Sequence, residues 1–197
     1  DEERVPEKVV TDCQDKLPVL TEVKGKEIIT DENEPTHILI EGDNYHALSV
    51  LNYTHKGKID LIYIDPPYNT GYKDFIYNDK YVEKEDTWRH SKWLQFMNKR
   101  LILAKELLTD KGLIFISIDD NEIGQLKLLC DDIFSEEKLM GIIHWRKNRK
   151  PHNASGTISK SAEFILVYAK NEKIKFFNLY QITKIGKKEF DIIIDWW

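Results

Sequence analysis

The sequence predicts an α/β domain with a doubly wound, mainly parallel sheet. Short apolar runs of strand length alternate along the chain with longer segments whose apolar residues recur at helical spacing. The runs are nearly continuous in apolar residues, as in parallel strands that are buried on both faces. With 197 residues the chain is long enough for one sizeable core. We divide it into an N-terminal arm (1–35), a core domain (36–171) and an unassigned tail (172–197).

The core domain begins with a strand–helix–strand pattern. His37–Ile40 is a buried-strand run, and Gly42-Asp43-Asn44 forms the turn at its end. A short helix from Tyr45 to Tyr53 follows, and Ile59–Ile64 is the next strand. This spacing predicts a βαβ unit.

Residues 69–90 are polar and aromatic and show no helical stripe, so we expect a mobile loop there. Ser91 is predicted to cap the next helix, and Gly112 is expected just past its end. One face of that helix is apolar and consists of Trp93, Met97, Leu101, Ala104 and Leu108.

The remaining elements of the core domain follow in order. Leu113–Ile118 is a third buried strand, and Asp119-Asp120-Asn121 is predicted to cap another helix. The inward face of this helix consists of Ile123, Leu126, Cys130 and Ile133. Two further strands, Ile142–Trp145 and Phe164–Tyr168, bracket a basic segment.

Composition and charge exclude several classes of protein. The net charge is −5, yet residues 144–162 contain five bases and no acid, so the middle of the chain can present a basic patch. No apolar run approaches the roughly 20 residues that span a bilayer, so we expect a protein of the cytoplasm without membrane contact. The six histidines form no ligand-like cluster, and no metal site is predicted.

The sequence Asp65-Pro66-Pro67-Tyr68 stands directly after a predicted parallel strand. Open α/β sheets place their ligand crevice at this end of the strands, so the motif is a candidate catalytic site. A rigid Pro-Pro turn with Asp65 as its cap is the structural alternative.

This motif resembles motif IV of amino-methyltransferases, and its setting resembles the modification (Mod) subunits of type III restriction-modification systems, which are β-type DNA adenine-N6 methyltransferases. Four successive blocks carry the resemblance: Ile40–Asn44, Leu61–Gly71, Trp93–Leu108 and Gly112–Glu122. The resemblance implies an incomplete Rossmann-like methyltransferase fold that uses S-adenosylmethionine, in which the core domain spans the part from motif IV to motif VIII.

The resemblance also implies a role for each residue of the motif. The Asp65 carboxylate and the Pro66 carbonyl would accept the two hydrogens of the target amine, within a catalytic motif completed by Pro67 and Tyr68. Tyr68 would stack on a base flipped out of the duplex. Asp in the first position favours adenine over cytosine, whose N4 methyltransferases more often carry Ser. A cytosine-N4 or RNA methyltransferase remains an alternative.

By the same resemblance Asp43, Asn44 and Asp65 are candidates for binding the cofactor. An Asx turn that caps the next helix explains Asp43 equally well. A Gly-rich Phe-x-Gly-x-Gly loop normally holds the methionine end of S-adenosylmethionine, and none of the nine glycines lies two residues from another. In the β-type order that loop comes later, so we expect this chain to be a fragment, or else a non-catalytic DNA-binding or assembly module.

DNA contacts are expected from the aromatic loop and from the basic segment, which resembles the motif VIII region. The candidate residues are Tyr72, Trp145, Arg146, Lys147, Arg149 and Lys150. A solvated tip of a charged β-hairpin is the alternative. The partners implied by the resemblance are double-stranded DNA, a restriction (Res) subunit and a second copy of the chain in a homodimer.

Overall fold

A computed structural model describes residues 6–26, 37–77, 80–146, 162–171 and 192–194. The helices are α1 (Pro6–Asp15), α2 (Asn44–Thr54), α3 (Arg89–Leu107) and α4 (Ile123–Phe134), with a short 3-10 turn at Glu136–Lys138. The strands are β1 (Ile38–Ile40), β2 (Ile59–Ile64), β3 (Ile76–Tyr77), β4 (Lys80–Tyr81), β5 (Leu108–Ile118), β6 (Leu139–Arg146), β7 (Ala162–Ala169) and β8 (Ile192–Ile194).

Four strands form the main sheet in the order β2-β5-β7-β6. β2 and β5 are parallel, whereas β7 runs antiparallel to both β5 and β6. The predicted α/β class and its incompleteness are confirmed, and strand β7, which runs opposite to the other three, makes the sheet mixed. β1 pairs in parallel with β8 in a separate two-stranded sheet, so the predicted βαβ unit does not join two adjacent strands.

The core lies where α2, α3 and α4 meet the buried side chains of the main sheet. The whole predicted stripe is completely buried, with Trp93, Met97, Leu101 and Ala104 on α3 and Leu108 as the first residue of β5. Ile114 and Ile116 of β5 belong to the same cluster. Because strand side chains alternate between faces, Tyr63 and Ile143 lie on the opposite face and remain about half exposed.

Several predicted boundaries are wrong by a few residues. α3 begins at Arg89, and Ser91 lies inside its first turn instead of capping it. α4 begins at Ile123, while Asp119 accepts a hydrogen bond from the backbone N–H of Asn121 in the preceding turn. Gly112 lies within β5, close to Leu108 and to the carbonyl of β2 residue Ile59, where any side chain would crowd the two strands.

The arm and the loop contain structure that the sequence patterns did not reveal. Helix α1 lies in the arm and packs against α2. The segment predicted as a mobile loop contains the antiparallel hairpin β3–β4, and the ring of Phe75 is buried against Phe96. None of the helices among the described residues is long and apolar enough to cross a membrane.

Candidate active site

The motif Asp65–Tyr68 follows the last residue of β2, at the carboxyl end that the sequence predicted. Pro66 and Pro67 are buried, Tyr68 is half-buried and Asp65 is exposed. The motif borders a cleft of about 270 Å³ between the ends of β2, β5, β6 and β7. The cleft is lined by Tyr63, Asp65, Tyr68, Ser117, Trp145, Glu163, Phe164 and Ile165.

Tyr68 and Asp65 interact directly within the motif. Burial raises the pKa of the Tyr68 hydroxyl, and a hydrogen bond to the Asp65 carboxylate raises it further. Tyr68 therefore stays protonated at neutral pH and donates to Asp65. The Tyr68 ring and the Asp65 carboxylate both line the cleft.

Hydrogen bonds from Trp93 and Asn69 anchor the turn to the core. The indole Nε1–H of Trp93 donates to the Pro67 carbonyl at 2.7 Å, and Trp93 is completely buried. Asn69, in the left-handed region with φ 56°, donates its side-chain amide to the Arg89 carbonyl at 3.3 Å and to the Glu122 carboxylate. Sequence reasoning identified Trp93 only as a core residue and missed Asn69 and Glu122, although Asn69 directly follows the motif.

The opposite wall of the cleft belongs to β6 and β7. Trp145 on β6 lies opposite Glu163 on β7 in the antiparallel register, and both line the cleft. Trp145 was predicted from the sequence, whereas Glu163 and Phe164 were not. On the sheet face between the walls, the Tyr63 hydroxyl and the Ser117 hydroxyl are 2.5 Å apart.

Of the remaining candidates for DNA contacts, the two that the structure describes, Tyr72 and Arg146, are not in the lining of the cleft. Arg146 ends β6 next to Trp145 and is exposed. Tyr72 is 74 % exposed, and the ammonium group of Lys84 lies 6.0 Å from its ring centroid. The other three candidates lie outside the described residues: Lys147, Arg149 and Lys150.

Asp43 and Asn44 are engaged inside the fold. Asp43 caps α2 by accepting the backbone N–H of Tyr45 at 2.8 Å, as in the Asx-turn alternative, and its other oxygen lies 3.5 Å from Arg100. The Asn44 side-chain oxygen accepts from the Arg100 guanidinium. Arg100 is buried above the ring of Phe96, and burial lowers its pKa to about 10. Their role in cofactor binding stays a prediction.

The residues predicted to bind S-adenosylmethionine also have roles inside the fold. The side-chain oxygens of Asp43 and Asn44 already have partners within the chain. No two glycines of the sequence stand in the Gly-x-Gly spacing that would hold the methionine end. Among the described residues, no cluster of three or more His, Cys, Asp or Glu could hold a metal ion.

The Asp-Pro-Pro-Tyr turn at the carboxyl end of a parallel strand is the feature by which this site resembles amino-methyltransferases. The family model for DNA methylases (N6_N4_Mtase) matches residues 59–191, more than half of the chain. The chain therefore belongs to the DNA methylase family.

The relatives include Mod subunits of type III restriction-modification enzymes. The StyLTI Mod subunit of Salmonella typhimurium is 40 % identical over 163 residues, which cover 71 % of this chain and 25 % of the relative. The EcoP15I Mod subunit of Escherichia coli is 40 % identical over 167 residues, covering 73 % and 26 %. The type II methyltransferase M.KpnI of Klebsiella pneumoniae is 41 % identical, covering 76 % and 40 %. This chain thus spans about a quarter of the length of the Mod subunits.

Solved structures support the fold. A protein described as a DNA modification methylase from Thermus thermophilus, in complex with S-adenosyl-L-methionine, matches with a TM-score of 0.52 at 18 % identity, covering 77 % of this chain and 61 % of that one. The PvuII DNA methyltransferase (cytosine-N4-specific) also gives 0.52, at 10 % identity, and covers 80 % and 57 %. At these identities the likeness concerns the fold alone.

Proposed function

We propose that this chain is the catalytic part of a DNA methyltransferase that transfers a methyl group from S-adenosylmethionine to N6 of adenine. The observation that carries the proposal is the Asp65–Tyr68 turn, which stands at the carboxyl end of β2 and opens onto an aromatic cleft. Membership in the DNA methylase family supports the same reaction class. The preference for adenine rests on Asp as the first residue of the turn.

The chemistry of the target amine explains why these groups suit the reaction. An exocyclic amine of adenine is a poor nucleophile because its lone pair is delocalised into the ring. Acceptors on its two hydrogens favour a tetrahedral nitrogen with a localised lone pair. Asp65 and the Pro66 carbonyl supply these acceptors, and the rigid proline ring holds the carbonyl in place. The main gain comes from positioning, since no covalent intermediate with the protein is needed.

The Pro67 carbonyl has a different role in this proposal. It already accepts the indole N–H of Trp93, so it anchors the turn and leaves contact with the amine to its neighbour Pro66.

The cleft has the dimensions and the walls for a flipped base. Its volume of about 270 Å³ lies near the lower end of small-molecule sites, which begin at roughly 300 Å³. Tyr68 and Trp145 both line the cleft and offer aromatic surface, on which a base could regain part of the stacking energy that it loses on leaving the duplex. Arg146 and the basic segment that follows would contact phosphates, which sets affinity and not sequence preference.

The complete protein is proposed to act as a Mod subunit of a type III restriction-modification system. Four relatives bear that name at 37 to 42 % identity. The proposal includes double-stranded DNA as substrate, a Res subunit as partner, a homodimer as the assembly and the cytoplasm as the location. M.KpnI is equally similar, so a stand-alone type II enzyme is the second candidate.

The proposed reaction is tested by methylation of duplex DNA with labelled S-adenosylmethionine, using the complete protein that the gene encodes. Digestion of the product to nucleosides should yield N6-methyladenine. Asp65→Asn should lower kcat by roughly 100-fold or more, because it replaces an acceptor of the amine by a group with competing donors. Asp60→Asn is the matched control at the other end of β2 and should leave kcat unchanged. The Asp60 carboxylate accepts a hydrogen bond from the Thr109 hydroxyl at 2.9 Å. N4-methylcytosine as product would contradict the adenine assignment.

Cofactor binding can be tested without catalysis. Calorimetric titration of S-adenosylmethionine into this chain alone should show no saturable binding, because the chain has no Gly-x-Gly loop to hold the methionine end. The complete protein should bind. Saturable binding by the short chain would show that the cofactor site is contained within it.

A further inference from the structure

A buried polar cluster lies behind the catalytic turn and joins three distant parts of the chain. The Asn69 amide donates to Oε1 of Glu122 at 2.5 Å, and Nδ1 of His90 lies 2.7 Å from the same oxygen. Asn69 and Glu122 are completely buried, whereas His90 is partly exposed. The cluster thus connects the residue after the turn with the start of α3 and the N-cap of α4.

Burying this polar cluster costs folding free energy that apolar side chains in the same space would not cost. Burial raises the pKa of the Glu122 carboxyl, which shows that its charged form is disfavoured at this site. Its second oxygen, Oε2, has no hydrogen-bond partner. Asn69 holds a left-handed backbone conformation that most residues avoid. Apolar residues of similar volume would fill the space without these costs.

A second hydrogen bond anchors the turn at Pro67, two residues before Asn69. Trp93 holds the Pro67 carbonyl, and the Asn69 cluster holds the side chain just beyond Tyr68. The chain is therefore anchored on both sides of Tyr68, and Asp65 belongs to the same short turn three residues before it. The loss of either anchor would let the turn shift relative to β2.

We propose that Asn69 and Glu122 are positioning residues, which hold Tyr68 and Asp65 in the geometry that the target amine requires. This inference rests on the proposed methyltransferase function. A displacement of about 1 Å at a reacting group can reduce a rate by roughly 100-fold, so a hydrogen bond that fixes the turn should act on kcat. It should have little effect on KM, because neither residue lines the cleft.

An exchange of donor and acceptor tests the proposal. Asn69→Asp places a carboxylate against Glu122 and should lower kcat by roughly 10- to 100-fold. Combining it with Glu122→Gln restores a donor opposite an acceptor and should recover most of the loss, with KM for DNA and for S-adenosylmethionine nearly constant throughout. Asn52→Asp is the matched control. The Asn52 amide also donates to a residue far away in sequence, the Leu103 carbonyl at 3.1 Å, but Asn52 lies on α2, away from the turn.

A second measurement does not depend on activity. Hydrogen exchange of the Trp93 indole N–H, followed by NMR in the complete protein, should accelerate in Asn69→Asp, return towards the wild-type rate in the double variant and stay unchanged in Asn52→Asp. Unchanged exchange and unchanged kcat in a folded Asn69→Asp protein would overturn the inference. If the wild-type protein methylates no DNA, the proposed function fails, and the exchange rates still decide whether the cluster holds the turn.

Discussion

Replacing Trp93 by Phe should weaken the whole domain, because this side chain joins the core to the Asp65–Tyr68 turn. The indole is completely buried and its N–H is bonded to the Pro67 carbonyl. Phe keeps the aromatic contact but leaves that buried carbonyl without its donor, which costs about 1–3 kcal/mol. The smaller ring also leaves a void, which costs about 1 kcal/mol more. We expect the free energy of unfolding to fall by about 2–4 kcal/mol.

Urea unfolding followed by far-ultraviolet circular dichroism measures this change as a lower midpoint with an unchanged slope. Trp88→Phe is the matched control one residue before α3, since Trp88 is 67 % exposed and its change should stay within about 0.5 kcal/mol. A Trp93→Phe protein as stable as the wild type would show that the Pro67 carbonyl has another partner, and the anchoring of the turn would then be wrong.

Two further predictions concern backbone conformation and pH. Gly71→Ala should destabilise the protein by about 2 kcal/mol or more in thermal unfolding, because Gly71 has a φ of 82° and a Cβ there would lie 2.6 Å from the Lys84 Cα. The control is Gly124→Ala on α4, where a Cβ meets open space; it should be neutral or stabilise by about 0.5 kcal/mol. A Gly71→Ala protein as stable as Gly124→Ala would contradict that geometry. Because burial raises the pKa of Glu122 in the folded protein, its contribution to stability is present at acidic pH and is lost as pH rises from the ordinary value of 4.5 through the raised one. Glu122→Gln should remove this loss, so the melting temperature of the wild type should fall relative to that of the variant over this pH range. If the melting temperatures of the two proteins change in parallel with pH, the pKa of the Glu122 carboxyl is not raised by folding.

Hydrophobic periodicity was sufficient for the elements of the core. The stripe of α3 from Trp93 to Ala104 and most of the strand Leu113–Ile118 are buried as predicted, because side-chain spacing on a regular element depends only on local geometry. Helix ends were less predictable. Ser91 has the chemistry of a cap, yet α3 begins two residues earlier, where the preceding turn at Asp86 leads into the helix.

The site was predicted in part for the same reason. Asp65–Tyr68 could be placed at a strand end because the strand and the motif are contiguous in sequence. Glu163 and Phe164 could not be assigned to the same cleft, because their position depends on how β7 pairs with β5 and β6. Strand pairing is a long-range choice that the alternation of side chains within one strand does not specify.

The sequence by itself determined the Asp65–Tyr68 motif, the apolar faces and the α/β class, since each depends on residues that are close together in the chain. Only the tertiary structure decided what stands behind the motif. Asn69 and Glu122 are 53 residues apart, and their hydrogen bond forms because β2 and β5 are adjacent and parallel, which brings the segments after their carboxyl ends together. A buried amide and a buried carboxylate so far apart in sequence become hydrogen-bond partners only when the chain has folded. Their hydrogen bond then anchors the segment next to the turn that carries Asp65.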